Sequence, residues 1–422
     1  MCKQKRFLAL FLALVLGIGI MPVCAYANTL QPVPSKNKNA HSYTPYASPV
    51  NSYLYEENGQ LVRVENIQGK IVIENYDREF KLQSQKIMTY ELPIWGGFFA
   101  GKDYNFFVFG QANFQEDDNV EVLRIVKYDK SWNRIDSLSL YGLNTVDPFA
   151  SGSLRCAEDG DNLYIHTCHK IYKTSDGRNH QTNMTLSIKK SNMNMEKISG
   201  LSPYLVTNGF YFYVSHSFDQ FILVDQNGKI VTYDHGDASP RSAVLTRNAS
   251  QVDIQKFSGP YGYNVTNASL GGLAETSKGY VTAYHYQDGN VFFSYTPKDH
   301  FSEKDTKITQ LWKSKDWNPF GQPTPVLVSA GLNGGYVMWY GATYERFDPP
   351  KPNGMIGQYS STFYYTTYDS EGRIGEIKSV PAELSDCRPI VVNGKVIWYV
   401  TEDSVPVFYI LDDGNLSKVT AS

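Results

Sequence analysis

Ser215, His216 and Ser217 stand shortly before Asp234, His235, Asp237 and Arg241, within SHSFDQFILVDQNGKIVTYDHGDASPR, the densest group of chemically capable side chains in the sequence. A hydroxyl, an imidazole and a carboxylate are the residue types of an acyl-transfer triad, here Ser215 or Ser217 with His216 and Asp234. No G-x-S-x-G elbow accompanies them, and a Ser and a His adjacent on a strand point to opposite sides. Paired carboxylates for glycoside hydrolysis could be drawn from Asp147, Asp176, Asp234 and Asp237, with the pairing left open by the sequence. Imidazole and carboxylate together also suit a transition metal. Yet no H-x-H or H-E-x-x-H spacing occurs, and His166 and His169 in LYIHTCH are an odd number apart, so one shell does not readily take both. No metal or other cofactor is therefore expected.

Recognition is the other chemistry available. Arg241 offers a planar, bidentate donor for a carboxylate or phosphate. Trp95, Tyr233, Tyr284, Tyr286, Trp339 and Tyr340 could supply aromatic faces with polar tips, although most aromatic residues in a strand-rich chain serve the core. The candidate ligand-binding set is Trp95, His166, Asp176, His180, His216, Asp234, His235, Asp237, Arg241 and His285, with Asp288 beside the last. An alternative assignment for the His and Asp residues is capping of backbone groups that loops leave unpaired.

These residues need a frame, and the turns supply one. The runs Gln220–Val224 and Ile230–Tyr233 flank Gln-Asn-Gly-Lys, a hairpin signal. Comparable turns recur at Asn58-Gly59, Lys102-Asp103, Asp159-Gly160, Lys278-Gly279, Asn333-Gly334 and Asn393-Gly394. Their spacing, roughly 45 to 65 residues, is in the range of propellers and solenoids. A second series, Tyr76-Asp77-Arg78, Tyr128-Asp129-Lys130, Tyr368-Asp369-Ser370 and Leu411-Asp412-Asp413, marks the turn between third and fourth strands.

The two series predict an all-β chain, a β-propeller of about seven four-stranded antiparallel blades, with six as the variant count. Two β-sandwiches are the competing arrangement. No Pro/Ser-rich linker breaks residues 51–422, which favours one domain. In a propeller the loops between second and third strands share a face with the segments entering each first strand. Six of the eight histidines (166, 169, 180, 216, 235 and 285) fall at or near that face, in three consecutive blades.

Residues 1–27 read as an export signal: Lys3, Lys5 and Arg6, then FLALFLALVLGIGI, then Ala25-Tyr26-Ala27 as the cleavage site. Lipidation at Cys24 is disfavoured by the preceding Val23, and the apolar run is short for a membrane span. Residues 28–50, rich in Pro, Ser and Asn, read as a flexible linker. A net charge of −3 gives no basic excess for a nucleic-acid partner. Three cysteines follow the signal; a hairpin turning at Asp159–Asn162 sets Cys156 opposite Ile165 rather than Cys168, so no bridge is predicted.

The segments ELPIWGGFF (91–99), GQANFQEDDNVEVLRIVKYD (110–129), SDGRNHQTN (175–183), VSHSFDQFI (214–222), DHGDASPRSAVL (234–245) and SDCRPIVVNGKVIWYV (385–400) resemble exported, propeller-like proteins of Gram-positive, clostridia-type bacteria. In that group the unit often stands beside Ig-like or cell-wall-binding repeats. The resemblance implies secretion and fold and assigns no catalytic residue. The expected function is a secreted or cell-surface binding module for an extracellular ligand such as a glycan or cell-wall polymer. An extracellular hydrolase acting on a polysaccharide or ester, and a protein-interaction scaffold, are the alternatives.

Overall fold

The computed structural model describes residues 30–38, 47–201, 213–260, 266–287, 289–313, 324–351 and 357–422. The predicted signal, residues 1–27, and Asp288 lie outside them. Among the described residues no helix is long and apolar enough to cross a membrane. The body of the fold runs from Pro32 to Ser422.

Seven antiparallel sheets follow one another along the chain, each with four strands in sequence order. Thr145–Pro148 adds a short fifth strand to the third sheet. The first strands are Ser52–Glu57, Ile94–Ala100, Arg155–Asp159, Ser217–Val224, Ala268–Glu275, Val326–Ser329 and Ile390–Val392. These strands adjoin one another from blade to blade, and the first adjoins the last, so they form a ring around a central channel. Between blades 1 and 2 the ring is joined by Tyr53 and Phe98, whose ring centroids are 5.4 Å apart. The molecule is a seven-bladed β-propeller, as the turn series predicts.

The sequence explains the radial layering. Middle strands lie between neighbouring sheets and are apolar on both faces; Asn105–Gly110, NFFVFG, is buried throughout. Phe107 there meets Trp95, Phe98 and Trp132. Burying such a side chain is worth about 1.5–3 kcal/mol. Outer strands are edges, and Leu82–Thr89, LQSQKIMT, blunts its edge with Gln and Lys in mostly exposed positions. Both turn series fall where predicted. In the third blade Cys156 pairs opposite Ile165, and Cys156, Cys168 and Cys387 are free.

Because every blade is made of consecutive strands, no N-terminal strand completes the last sheet. Blades 1 and 7 share an apolar core that includes Tyr76 and Phe408, and part of the stretch read as a linker adds to this closure. Ser35 donates its backbone N–H to Ser404 of blade 7, and its hydroxyl lies 2.9 Å from Glu65 and 2.7 Å from Thr401. Val33 and Lys36 donate backbone N–H groups to Glu74 and Glu65. Asn37 donates to Ser385 and to the Tyr399 carbonyl. Pro32–Lys38 is thus a strap rather than a free linker, because blade 1 presents buried carboxylates that its N–H groups satisfy. Ala47–Asn51 is also engaged: Val50 is buried and its carbonyl accepts from the Trp95 indole at 2.9 Å. Residues 39–46 lie outside the described part.

Candidate functional site

The hairpin Ser217–Val224 and Ile230–Gly236 forms the first two strands of blade 4. Asp234 sits opposite Gln220, and both are fully buried. The Asp234 carboxylate accepts from His166 Nε2 of blade 3 at 3.1 Å and from the Ser217 hydroxyl at 2.9 Å. Asn183 Nδ2 is 3.3 Å from the same carboxylate. His166 Nδ1 lies 2.8 Å from the Thr185 hydroxyl. Ser217 also receives Gln220 Nε2, and Gln220 Oε1 accepts from the Ser153 backbone N–H. Every member has a partner, so the network joins blades 3 and 4 and holds its residues in place. Asp234→Asn puts an amide among these donors and is expected to cost about 2 kcal/mol of unfolding free energy, measured by urea denaturation.

Strand parity separates His169 from this network. Its Nε2 donates to the Gly200 carbonyl at 2.9 Å, its Nδ1 lies 2.6 Å from the Thr145 hydroxyl, and burial lowers its pKa to about 4. His235, next to Asp234, points away from it to Thr266, 2.7 Å from Nε2. Burial, then the nearby His285 and Arg241, lowers its pKa to about 3. His285 is half-buried, and burial brings it to about 4. Asp237 is fully buried and ion-paired with Arg241, which also donates to the Asp237 and Ser258 carbonyls at 2.8 and 2.9 Å. Arg241 thus spends donors on its own blade. Trp95, Tyr233, Tyr284, Tyr286, Trp339 and Tyr340 are all core residues.

Three of the predicted residues meet at an accessible place. Asp176 lies on the second-to-third-strand loop of blade 3 and His180 at the start of its third strand, Asn179–Lys189, joined at 2.9 Å with their side chains 48% and 32% exposed. The half-buried His216 enters blade 4, and its ring is inclined by 26° to that of His180 with centroids 6.1 Å apart. The Thr174 hydroxyl, the Arg178 backbone N–H and His180 hold the Asp176 carboxyl down at about 2. Burial and the neighbouring His180 lower His216. Two imidazoles from different blades, one oriented by a carboxylate, form a flat polar edge suited to hydroxyl-rich ligands.

The ring of first strands holds a second group that the sequence reading missed. Arg155 of blade 3 and Arg388, which precedes the first strand of blade 7, both place their guanidinium carbons over Phe221 of blade 4, 5.1 and 5.2 Å from its ring centroid. The two charges therefore lie within about 10 Å of each other. At an effective dielectric constant of 20 they repel by roughly 2 kcal/mol. Arg388 Nη2 donates to the Gly271 and Leu327 carbonyls at 2.7 and 3.1 Å. Glycine is needed opposite it, since a Cβ on Gly272 would stand 2.7 Å from Nη2. Arg155 donates to the Leu154 carbonyl at 3.0 Å and pairs with no carboxylate among the described residues. Buried Asp219, which accepts from the backbone N–H groups of Leu270 and Ala47, is pushed up to about 7 by burial, with Arg155 and Arg388 among the influences that partly oppose the rise.

Beside these arginines is a cavity of about 230 Å³, lined by Arg155 and Arg388 together with residues of blades 1 and 2 such as Tyr53, Tyr55 and Phe98. Among the described residues that line it, Arg155 and Arg388 are the charged ones. The Tyr55 hydroxyl is buried and has no hydrogen-bond partner. Ala47 reaches Asp219 of blade 4 and the Asn51 backbone N–H reaches Asp386 of blade 7. With Val50 on Trp95 of blade 2, the segment Ala47–Asn51 touches blades 2, 4 and 7. Two arginines entering first strands and the Gly271-Gly272 pair are the sequence signals that could have pointed here.

Ring geometry and blade count define the class: a β-propeller with polar groups on one loop face and an arginine-lined channel. No protein-family model and no curated protein matches the chain. Solved structures similar to it include a prolyl endopeptidase (TM-score 0.41, 10% identity), for which the match covers 85% of this chain and 46% of the other. The chain thus spans under half of that protein's length. An uncharacterized protein of Listeria monocytogenes EGD-e matches with TM-score 0.40 and 7% identity over 93% of this chain and 97% of the other. The periplasmic gluconolactonase of Pseudomonas aeruginosa matches with TM-score 0.42 and 13% identity over 88% and 94%.

Proposed function

We propose that the protein is an exported binding propeller that recognises an extracellular glycan, including the glycans of a cell wall, through the loop face of blades 3 and 4. The observation that carries this reading is the accessible His180–His216 pair with Asp176, contributed by two blades to one edge. Export rests on residues 1–27, which have the composition of a signal sequence. Binding is favoured over hydrolysis because Asp234, His235 and Asp237 are fully buried and each is held by a neighbouring side chain. A general acid or base must reach the substrate proton it moves.

The mature chain is expected to bind a subset of glycans on an array of cell-wall fragments and extracellular polysaccharides. His216→Ala and His180→Ala, each removing one imidazole of the pair, are expected to weaken that binding about tenfold or more while leaving the melting temperature nearly unchanged. Equal binding by both variants, or shortening of the bound glycans over time, counts against the proposal.

A further inference from the structure

We propose that the central channel is a separate binding site for a small organic acid, with the oxyanion head held by Arg155 and Arg388 and the body lying among Tyr53, Tyr55 and Phe98. This goes beyond the loop-face reading, since the channel residues come from blades 1, 2, 3 and 7 and none belongs to the loop-face set.

Four observations converge on it. The cavity has two charged lining residues, both positive, brought from opposite parts of the ring. Both guanidinium carbons lie over one phenyl ring, 5.1 and 5.2 Å from its centroid. Planar guanidinium groups match the two oxygens of a carboxylate, and an anion in the cavity that both arginines line offsets the repulsion between them. Arg155 forms no direct ion pair with a carboxylate among the described residues, buried Asp219 acting on it only through space, and the Tyr55 hydroxyl is buried without a hydrogen bond there. Burial of an unpaired hydroxyl is costly, and such groups mark places where a ligand supplies the missing bond.

The cavity also limits the ligand. At about 230 Å³ it is smaller than the 300–1,000 Å³ of drug-sized pockets. A body no larger than a monosaccharide or a single aromatic ring fits, and a polymer does not. The aromatic walls favour a ligand with a flat or ring-shaped apolar face over a bare inorganic anion.

Isothermal titration of the mature chain with glucuronate, phenylacetate and glucose 6-phosphate, against glucose, phenylethanol, phosphate and sulfate, tests the proposal. At least one organic acid is expected to bind one to one, at least tenfold more tightly than its neutral counterpart and than phosphate or sulfate. Glucuronate or phenylacetate as the tighter acid identifies a carboxylate head, and glucose 6-phosphate a phosphate head. Arg155→Met is expected to weaken that acid tenfold or more. Tyr55→Phe, which removes one hydroxyl and keeps the ring, is expected to weaken it about threefold and serves if the arginine variant does not fold. Acids that bind no better than neutral counterparts, inorganic anions that bind as well as the acids, or Tyr55→Phe and a folded Arg155→Met that bind like wild type each overturn the proposal. The two readings fail separately: Arg155→Met is expected to leave glycan binding intact, and His216→Ala to leave acid binding intact.

Discussion

Arg63→Ala is expected to lower the unfolding free energy by about 3–5 kcal/mol, the usual consequence of removing one partner from a buried ion pair. Arg63 is fully buried between Glu65 and Glu74, which are buried as well. Burial alone would lower its pKa, and Glu65, Tyr399 and Glu74 more than offset this and raise it well above its ordinary value. Without the guanidinium two carboxylates remain in the interior with only hydrogen-bond donors around them. Those donors include the Tyr399 hydroxyl of blade 7 and the strap's Val33, Ser35 and Lys36, so the damage falls on the seam between first and last blades. Chemical denaturation measures the loss, and hydrogen exchange is expected to show it first at blades 1 and 7. A change below 1 kcal/mol would mean that the strap and its carboxylates do not close the ring.

Asp219→Asn is expected to stabilise the protein above pH 7 by roughly 2–4 kcal/mol and to have little effect below pH 4. The sign follows from linkage. The folded-state pKa is raised to about 7 from an unfolded value near 3.9, so the folded chain holds a proton that the unfolded chain releases between those values. Stability therefore falls as pH rises from about 4 to 7, and the penalty is constant above that. Asparagine has no proton to release and keeps an oxygen that can accept from Leu270 and Ala47. His169, His235 and His285 act in the opposite sense. Their lowered pKa values mean that stability is lost as pH falls below about 6.5. The informative measurement is the difference between variant and wild type across pH 4 to 8, in which the histidine contributions cancel. A flat difference would refute the assignment of Asp219 as an acid held neutral by burial.

The part of the fold governed by neighbours in the chain is legible in the amino-acid sequence alone. An Asn-Gly or Asp-Gly turn requires left-handed backbone at short range, so the turn series and the strand pairs around it were legible. Parity along a strand put His166 and His169 on opposite faces, and counting from one turn placed Cys156 against Ile165. Tertiary structure decided what each polar group meets. Asp234 and His166 are 68 residues apart, and only the stacking of blade 4 on blade 3 turns two candidate ligand-binding residues into a buried structural pair. The strap reads as linker because Pro, Ser and Asn carry no pattern; its place depends on carboxylates that blade 1 buries at the seam.

The residue types around Ser215–Arg241 drew attention to that hairpin, and its open end does lie where blades 3 and 4 meet. Of that cluster, His216 remains accessible beside His180 and Asp176, while Asp234, His235, Asp237 and Arg241 are buried and held within the fold. Arg155 and Arg388 carry no local motif and lie in different blades. Closing seven sheets into a ring is what carries their charges to one phenyl ring and one cavity, because a channel is a property of the ring and of no single blade.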